Sequence, residues 1–476
     1  MLTGITRHNR IHLVGVGGSG MIGIARILLK QGFDVSGSDL NDSDELQILK
    51  SLGLRLQNNH SPNLIKDAEL IIVSSAISAN NLELIYANKN KIIVIPRSEM
   101  LSSLMKPFRS IAVAGSHGKT TTTSLIANIF NEADLSPTYV IGGKILSDDQ
   151  SADLGKGEYM IVEADESDGS FLSLNPEIIV ITNIDNDHLA FYDSKQSKLN
   201  EGFLKFINNL PFNGYVLLNQ DDPNVRLIKN NIKRKVITYG TSYPCDYQII
   251  FHDSENFSQE FKVINKKNRL SIDLKTSLLG KHNLYNAAVA SIISIEEGIA
   301  INHISRALIK FSGVERRLEF SSITFTERRL DIIDDYGHHP AEISATLSVI
   351  DSLYEKKEYI MFFEPHRYSR TLQLMNEFAI LLSKVKNLFI LEIYPASEEN
   401  ITGISSETLI DEINLRGGNA SFVKFNEIDN IIINSNKTIR AILMQGAGNI
   451  SAKTKQLIHE ILSLIHISEP TRLGAI

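Results

Sequence analysis

Short β-branched runs alternate with longer runs of helical period through most of the chain, which predicts parallel sheets covered by helices. A strand at Ile11–Val14, a glycine turn, a helix over Met21–Lys30 and a strand at Asp34–Gly37 open the pattern, and strand-like runs follow at Glu69–Ser74 and Lys91–Ile95. After Pro107 the pattern restarts, with a strand at Ser110–Ala114, a second glycine loop and a helix from Thr121. Strands at Tyr159–Ala164 and Ile178–Asn183, a polar strand-rich stretch over 237–278 and a helix at Asn286–Gly298 complete this section. A third start at Leu330–Asp335 leads through Tyr359–Phe363, Leu388–Tyr394 and Ala441–Met444. The reading is an α/β protein with boundaries near 107 and 319. Amphipathic period fades near the C-terminus, which predicts a loose tail after about residue 463.

The 476 residues agree with three domains, at roughly 150 residues each. Apolar residues make up 43% and charged residues 22%, the balance of a globular protein with several cores. A formal charge of −7 argues against a nucleic-acid binder that works by bulk charge. The single cysteine, Cys245, excludes an intramolecular disulfide framework and a multi-cysteine zinc site within one chain. No apolar run reaches the ~18–20 residues of a membrane span, and no secretory layout is visible. The expectation is a cytoplasmic protein with no membrane insertion and no nucleic-acid partner.

Two loops carry the clearest chemistry. Gly15-Val-Gly17-Gly18-Ser19-Gly20 stands between a strand and a helix, where glycines allow a tight turn and let backbone approach a diphosphate at a helix N-terminus. Asp39 closes the next strand, but spacing alone leaves open whether a nicotinamide dinucleotide or a nucleotide sugar binds. The second loop, Gly115-Ser116-His117-Gly118-Lys119-Thr120-Thr121, is a shortened phosphate loop: Val113 stands where the general pattern has its first glycine. Its backbone amides cradle phosphates, Lys119 reaches the terminal phosphates and a hydroxyl serves Mg²⁺. That favours an ATP-consuming enzyme over a dehydrogenase. Glu163 and His188 end later strands and are candidate metal ligands; carboxylate oxygen suits Mg²⁺ better than imidazole does. Farther on, Tyr336, His338, Arg367 and Arg370 follow two adjacent strands, and paired guanidinium forks match a small carboxylate.

The motifs GVGGSGM, AGSHGKTTTTS, EADESDGSF, TNIDNDH, GKHNLYN, GVERRLEF, DDYGHHPAE, PHRYSRT and YPAS occur in the order found in the Mur ligases of peptidoglycan synthesis, which this chain resembles over about residues 10–450. The resemblance implies a Rossmann-like N-terminal domain (1–107) for a UDP-sugar, a central P-loop ATPase domain (108–319) and a Rossmann-like C-terminal domain (320–476) for an amino acid. It implies that ATP, Mg²⁺, UDP-N-acetylmuramate and L-alanine are bound by a monomer or weak homodimer. Gly17, Gly18, Ser19, Gly20 and Asp39 would hold the UDP-sugar. Residues 115–121 would hold the ATP phosphates, with His282 and Asn286 at the adenine and Arg316 near the phosphates. Thr120 and Glu163 would bind one Mg²⁺ and His188 a second. Lys119, His188 and Arg316 would be catalytic, and Tyr336, His338, Arg367 and Arg370 would form the amino-acid pocket. Phe203 stands where other branches carry a modified lysine, as in the alanine-adding branch.

Overall fold

The computed structural model describes residues 10–186, 189–252, 258–325, 328–396 and 398–467. One compact unit ends at Val314 and a second begins at Glu315.

The first unit contains two sheets. Strands β1 (Arg10–Val14), β2 (Asp34–Ser38), β3 (Arg55–Gln57), β4 (Leu70–Val73) and β5 (Ile93–Pro96) form a parallel sheet in the order β3-β2-β1-β4-β5. The order reverses between β1 and β4, so a crevice opens beyond their C-terminal ends, where open α/β sheets bind ligands. Residues 11–14 of β1 are all buried, as expected of a central parallel strand covered on both faces.

The second sheet has ten strands. They are β6 (Arg109–Ala114), β7 (Thr138–Ile145), β8 (Gln150–Asp153), β9 (Tyr159–Glu163), β10 (Ile178–Ile181), β11 (Tyr215–Asn219), β12 (Lys235–Gly240), β13 (Tyr247–Phe251), β14 (Gln259–Asn265) and β15 (Ser271–Thr276). Their order is β15-β14-β13-β12-β11-β10-β6-β9-β7-β8, which sets the phosphate-loop strand β6 between β10 and β9. The hairpin β7–β8 and the strand β11 carry no clear period in the sequence and emerge only in the structure.

The change of sheet falls close to residue 107, but compactness does not break there. The helix Ser19–Lys30 buries Met21 through Leu28 because β1–β5 cover one side and the β7–β8 hairpin packs on another. Gly23 allows that approach: a Cβ there would lie 2.9 Å from Val140 Cγ1. Met100 and Leu104 belong to the same apolar cluster as Ala112, Val162 and Ile179. Arg26, Glu45 and Lys144 add a charge-paired link, with Arg26 Nη2 2.8 Å from Glu45 Oε2 and Lys144 Nζ 2.8 Å from Glu45 Oε1.

The second unit holds β16 (Glu319–Phe325), β17 (Arg328–Asp335), β18 (Tyr359–Phe363), β19 (Leu388–Ile390), β20 (Ala420–Phe422) and β21 (Ala441–Gln445), in the order β16-β17-β21-β18-β19-β20. The β16–β17 hairpin is antiparallel and the remaining pairs are parallel. Its first residues include Arg316 and Arg317, so both arginines belong with this unit. The helix Lys281–Glu296 begins a turn before the expected Asn286, because Gly280 (φ 96°) caps it and its first turn is polar. The last helix, Ile450–Ile467, runs past the expected start of the loose tail at 463; Ile450 and Leu457 are buried and Ile458 packs against the same apolar cluster. Residues 468–476 lie outside the described residues. No helix among the described residues is long and apolar enough to cross a membrane.

Candidate active site

Three adjacent strand ends build the candidate phosphate site. The loop after β6 turns at Gly115 (φ 135°) and Gly118 (φ 80°) and feeds the helix Lys119–Glu132, whose N-terminus has no side-chain cap. Its first-turn amides therefore face an anion site. Gly115 is obligatory, because a Cβ would overlap the Thr182 hydroxyl and lie 2.9 Å from the Asn183 carbonyl oxygen. Gly118 is equally confined, with Asn286 Oδ1 2.6 Å from where a Cβ would stand. Asn183 Oδ1 accepts the His117 N–H at 2.9 Å, and Ser116 Oγ accepts the Asp185 N–H at 2.8 Å, so the end of β10 holds the loop's shape. His117 Nε2 also lies 3.1 Å from Asp185 Oδ2.

Lys119 is buried. Its Nζ donates to the Gly115 carbonyl at 2.7 Å and to Glu166 Oε2 at 2.7 Å. Burial opposes the ammonium, but the carboxylates of Glu166, Asp165 and Glu163 more than offset it and hold the pKa above the usual lysine range. The group is charged at any working pH. Thr120 Oγ1 donates to Glu163 Oε1 at 3.1 Å, while Glu163 Oε2 accepts the Gly142 N–H at 2.7 Å. A hydroxyl and a carboxylate converging at the mouth of a phosphate loop form an oxygen donor set that fits Mg²⁺. His188, the second expected ligand, lies outside the described residues. Thr121 is buried in the first helical turn. Asn286 is placed against the loop: its Oδ1 accepts the Thr122 hydroxyl at 3.2 Å. His282 sits one turn earlier on the same helix, half-buried.

In the glycine loop after β1, Gly15 takes φ 76°, and Gly18 stands before a helix N-terminus with no side-chain cap. Gly18 and Ser19 are exposed there. Asp39 Oδ2 accepts the Gly17 N–H at 2.8 Å, so its carboxylate shapes the loop. Beside this loop is a cleft whose lining includes Ser74, Ser75, Arg97, Ser98, Asp168 and Ser170. The guanidinium of Arg97 reaches Gly20, where Nη1 lies 2.5 Å from where a Cβ would stand. Sequence reading missed Arg97 and Glu166. A clue to Glu166 was its place in EADESD; Arg97 had none, since a lone arginine after a strand is common.

The second unit gathers its own polar cluster beyond the C-terminal ends of β17, β18, β19 and β21. Rings form a file: Tyr336 to His338 at 5.4 Å, His338 to His366 at 5.4 Å, and His366 stacked on Tyr394 at 5.5 Å. Arg370 Nη1 lies 3.2 Å from His366 Nδ1. Burial, reinforced by the charges of His338, Arg370, Arg367 and Arg316, pushes the His366 pKa down to about 3, so this imidazole is neutral and accepts from Arg370. Arg367 is exposed at φ 71°, a backbone region that side chains rarely adopt, and its N–H donates to the Tyr394 carbonyl at 2.8 Å. Arg316 donates to the Gly446 carbonyl at 2.5 Å and lies over the Tyr336 ring, 5.0 Å from its centroid. Of the expected amino-acid residues, Tyr336, His338 and Arg370 are thus brought together through His366, and Arg367 joins them through Tyr394. Tyr394 was missed, although it lies inside the quoted YPAS motif.

A nucleotide-type crevice, a phosphate loop with a magnesium-type donor pair and a third α/β sheet ending in an arginine cluster define the class, and this chain belongs to the Mur ligase family. The N-terminal part matches the Mur ligase family catalytic domain over residues 10–109, followed by the Mur ligase middle domain over 113–294 and the Mur ligase glutamate ligase domain over 316–448. Among its relatives, the UDP-N-acetylmuramate–L-alanine ligase of Ruthia magnifica subsp. Calyptogena magnifica is 44% identical over 451 residues, 94% of this chain and 96% of that protein. The protein of that name from Buchnera aphidicola subsp. Acyrthosiphon pisum is 42% identical over 464 residues, 96% and 95% of the two chains. The solved UDP-N-acetylmuramate–alanine ligase from Thermotoga maritima superposes with a TM-score of 0.82 at 26% identity, covering 96% of this chain and 100% of that one. A murein peptide ligase from Psychrobacter arcticus shares the fold, with a TM-score of 0.72 at 21% identity.

Proposed function

We propose that this protein joins L-alanine to the carboxylate of UDP-N-acetylmuramate at the expense of ATP, a step in building peptidoglycan precursors. The observation that carries the reading is the phosphate loop, in which a charged Lys119 and the Thr120–Glu163 pair meet at one strand edge. The relatives named above support the choice of substrates.

In this mechanism the muramyl carboxylate attacks the γ-phosphoryl group, ADP leaves, and an acyl phosphate forms. The amine of alanine then attacks the acyl carbon, and inorganic phosphate is expelled from the tetrahedral intermediate. Lys119 neutralises charge on the transferring phosphoryl oxygens, and the loop amides fix their position. Thr120 and Glu163 would hold Mg²⁺, which when bound adds charge neutralisation on the phosphates. The glycine loop, with Gly17, Gly18, Ser19 and Gly20, holds the UDP diphosphate, and Asp39 keeps that loop in shape. Arg367 and Arg370 take the carboxylate of alanine, and neutral His366 leaves the positive charge of that pocket on the guanidinium groups.

Phosphate release measured with UDP-N-acetylmuramate across a panel of amino acids and the murein tripeptide tests the reading. Turnover with alanine well above the others is expected. A preference for the tripeptide, or ATP turnover indifferent to the sugar, would overturn it.

A further inference from the structure

A second polar cluster lies within the N-terminal sheet, where no group has yet been given a role. Glu83, in the first turn of the helix Leu82–Lys89, is fully buried. Its Oε1 accepts from Gln57 Nε2 at 2.7 Å and lies 3.2 Å from His12 Nε2. Its Oε2 accepts from the Ser38 hydroxyl at 2.6 Å and lies 2.9 Å from His60 Nδ1. His12 is itself fully buried, with Nδ1 2.8 Å from Ser36 Oγ. Burial works against the charge on Glu83, but hydrogen bonds from His12, Ser38 and His60 outweigh it and keep the carboxyl below its usual range.

Apolar side chains fill comparable space more cheaply than a buried carboxylate, so the network calls for a reason other than stability. Its attachment to Ser38 supplies one. Ser38 ends β2, and its carbonyl accepts the N–H groups of Gly15 at 2.9 Å and Val16 at 3.1 Å. The next residue, Asp39, accepts the Gly17 N–H at 2.8 Å. Three successive amides of the glycine loop therefore hang on a two-residue segment whose one buried hydroxyl is anchored to Glu83.

We propose that Glu83 is a positioning residue for the diphosphate-binding loop, acting through the Ser38 hydroxyl rather than by touching substrate. The proposal rests on the reading of that loop as the UDP-sugar site. It makes affinity for the sugar nucleotide, rather than turnover at saturation, the property the buried carboxylate controls.

The test uses the full chain with Ser38→Ala and Glu83→Gln. Ser38→Ala cuts the connection while leaving Glu83 with His12, His60 and Gln57, so it stays informative if Glu83→Gln does not fold. Hydrogen exchange of the peptide covering residues 14–20 is read alongside calorimetric titration with UDP-N-acetylmuramate and, separately, with ADP. Loop amides should exchange faster and sugar-nucleotide affinity should fall about tenfold, as for one lost charge-assisted hydrogen bond. ADP affinity and kcat at saturating sugar nucleotide should stay near parent values. Unchanged exchange would overturn the proposal, as would a parallel fall in ADP affinity, which marks general loosening. Faster exchange with undiminished sugar-nucleotide affinity would instead refute the assignment of the loop as the diphosphate site.

Discussion

At the scale of single residues, charge placement decides most outcomes. Lys119 is held by its own loop and by Glu166, so replacing it with alanine removes the phosphate contact proposed for it without opening an apolar core. Loss of about 3–4 kcal/mol of transition-state stabilisation is expected, two to three decades in rate. Steady-state turnover at saturating ATP checks it, and a near-parental rate would remove the lysine from the mechanism. Arg367 offers a sharper separation of stability from function. Its φ of 71° suits glycine, so Arg367→Gly should relieve backbone strain of about 1 kcal/mol. The same variant should raise the Michaelis constant for alanine about ten- to a hundredfold, since the guanidinium fork is lost, and Arg367→Lys should not restore it. Thermal melting and alanine kinetics on both variants decide the matter. A lower melting temperature for the glycine variant would contradict the strain argument. His366 gives the pH dependence. Its folded pKa is depressed to about 3, while an unfolded histidine titrates near the ordinary 6.5, so the unfolded chain binds the proton first. The contribution of this neutral imidazole to stability is complete above pH 6.5 and is lost as pH falls towards 3. Between pH 6.5 and 5 the loss should be on the order of 1–2 kcal/mol. The acid slope of melting for the second unit should flatten in His366→Gln; parallel slopes would show that other groups govern it.

At the scale of elements, both glycine loops use one device, a parallel strand that turns through glycine into an uncapped helix. Their glycines are not interchangeable with alanine, for a reason that lies in neighbouring strands. At Gly115 a Cβ meets Thr182 and Asn183 at the end of β10, and φ is 135°. Gly115→Ala should abolish measurable ADP binding and destabilise the first unit by a few kcal/mol. Adding Thr182→Ala should not rescue it, because the Asn183 backbone and the unfavourable φ remain. Calorimetric titration with ADP reads the result, and recovery in the double variant would show that the Thr182 hydroxyl alone enforces glycine.

At the scale of the whole molecule, packing divides the chain differently from its sheets. The N-terminal and ten-stranded sheets share one apolar cluster, whereas the second unit has clusters of its own. Differential scanning calorimetry of the full chain should therefore show two transitions. UDP-N-acetylmuramate at a hundred times its dissociation constant should add about 2.7 kcal/mol to the unit carrying the glycine loop, leaving the other in place. A third transition, with residues 10–107 melting alone, would contradict the shared core.

The sequence by itself determined the parallel α/β character, the two glycine loops and the motifs that identify the family, because each is written in local terms: a period, a turn residue, a fixed spacing. The positions of Lys119 and Thr120 at a helix start and of Glu163 at a strand end were legible in advance, because the glycine loop and the β-branched run before each of them mark those boundaries locally. Tertiary structure alone decided the rest. Glu166 stands opposite Lys119 because β9 lies beside β6, and Arg97 reaches Gly20 from a separate helix. Glu83 gathers Gln57, Ser38, His12 and His60 from distant positions, and no spacing announces that convergence. The joining of two sheets into one unit was equally hidden, since Gly23 and Val140 read as ordinary residues until a helix and a hairpin bring them together. Long-range contact, which a linear pattern does not encode, decided which charges face one another and which elements share a core.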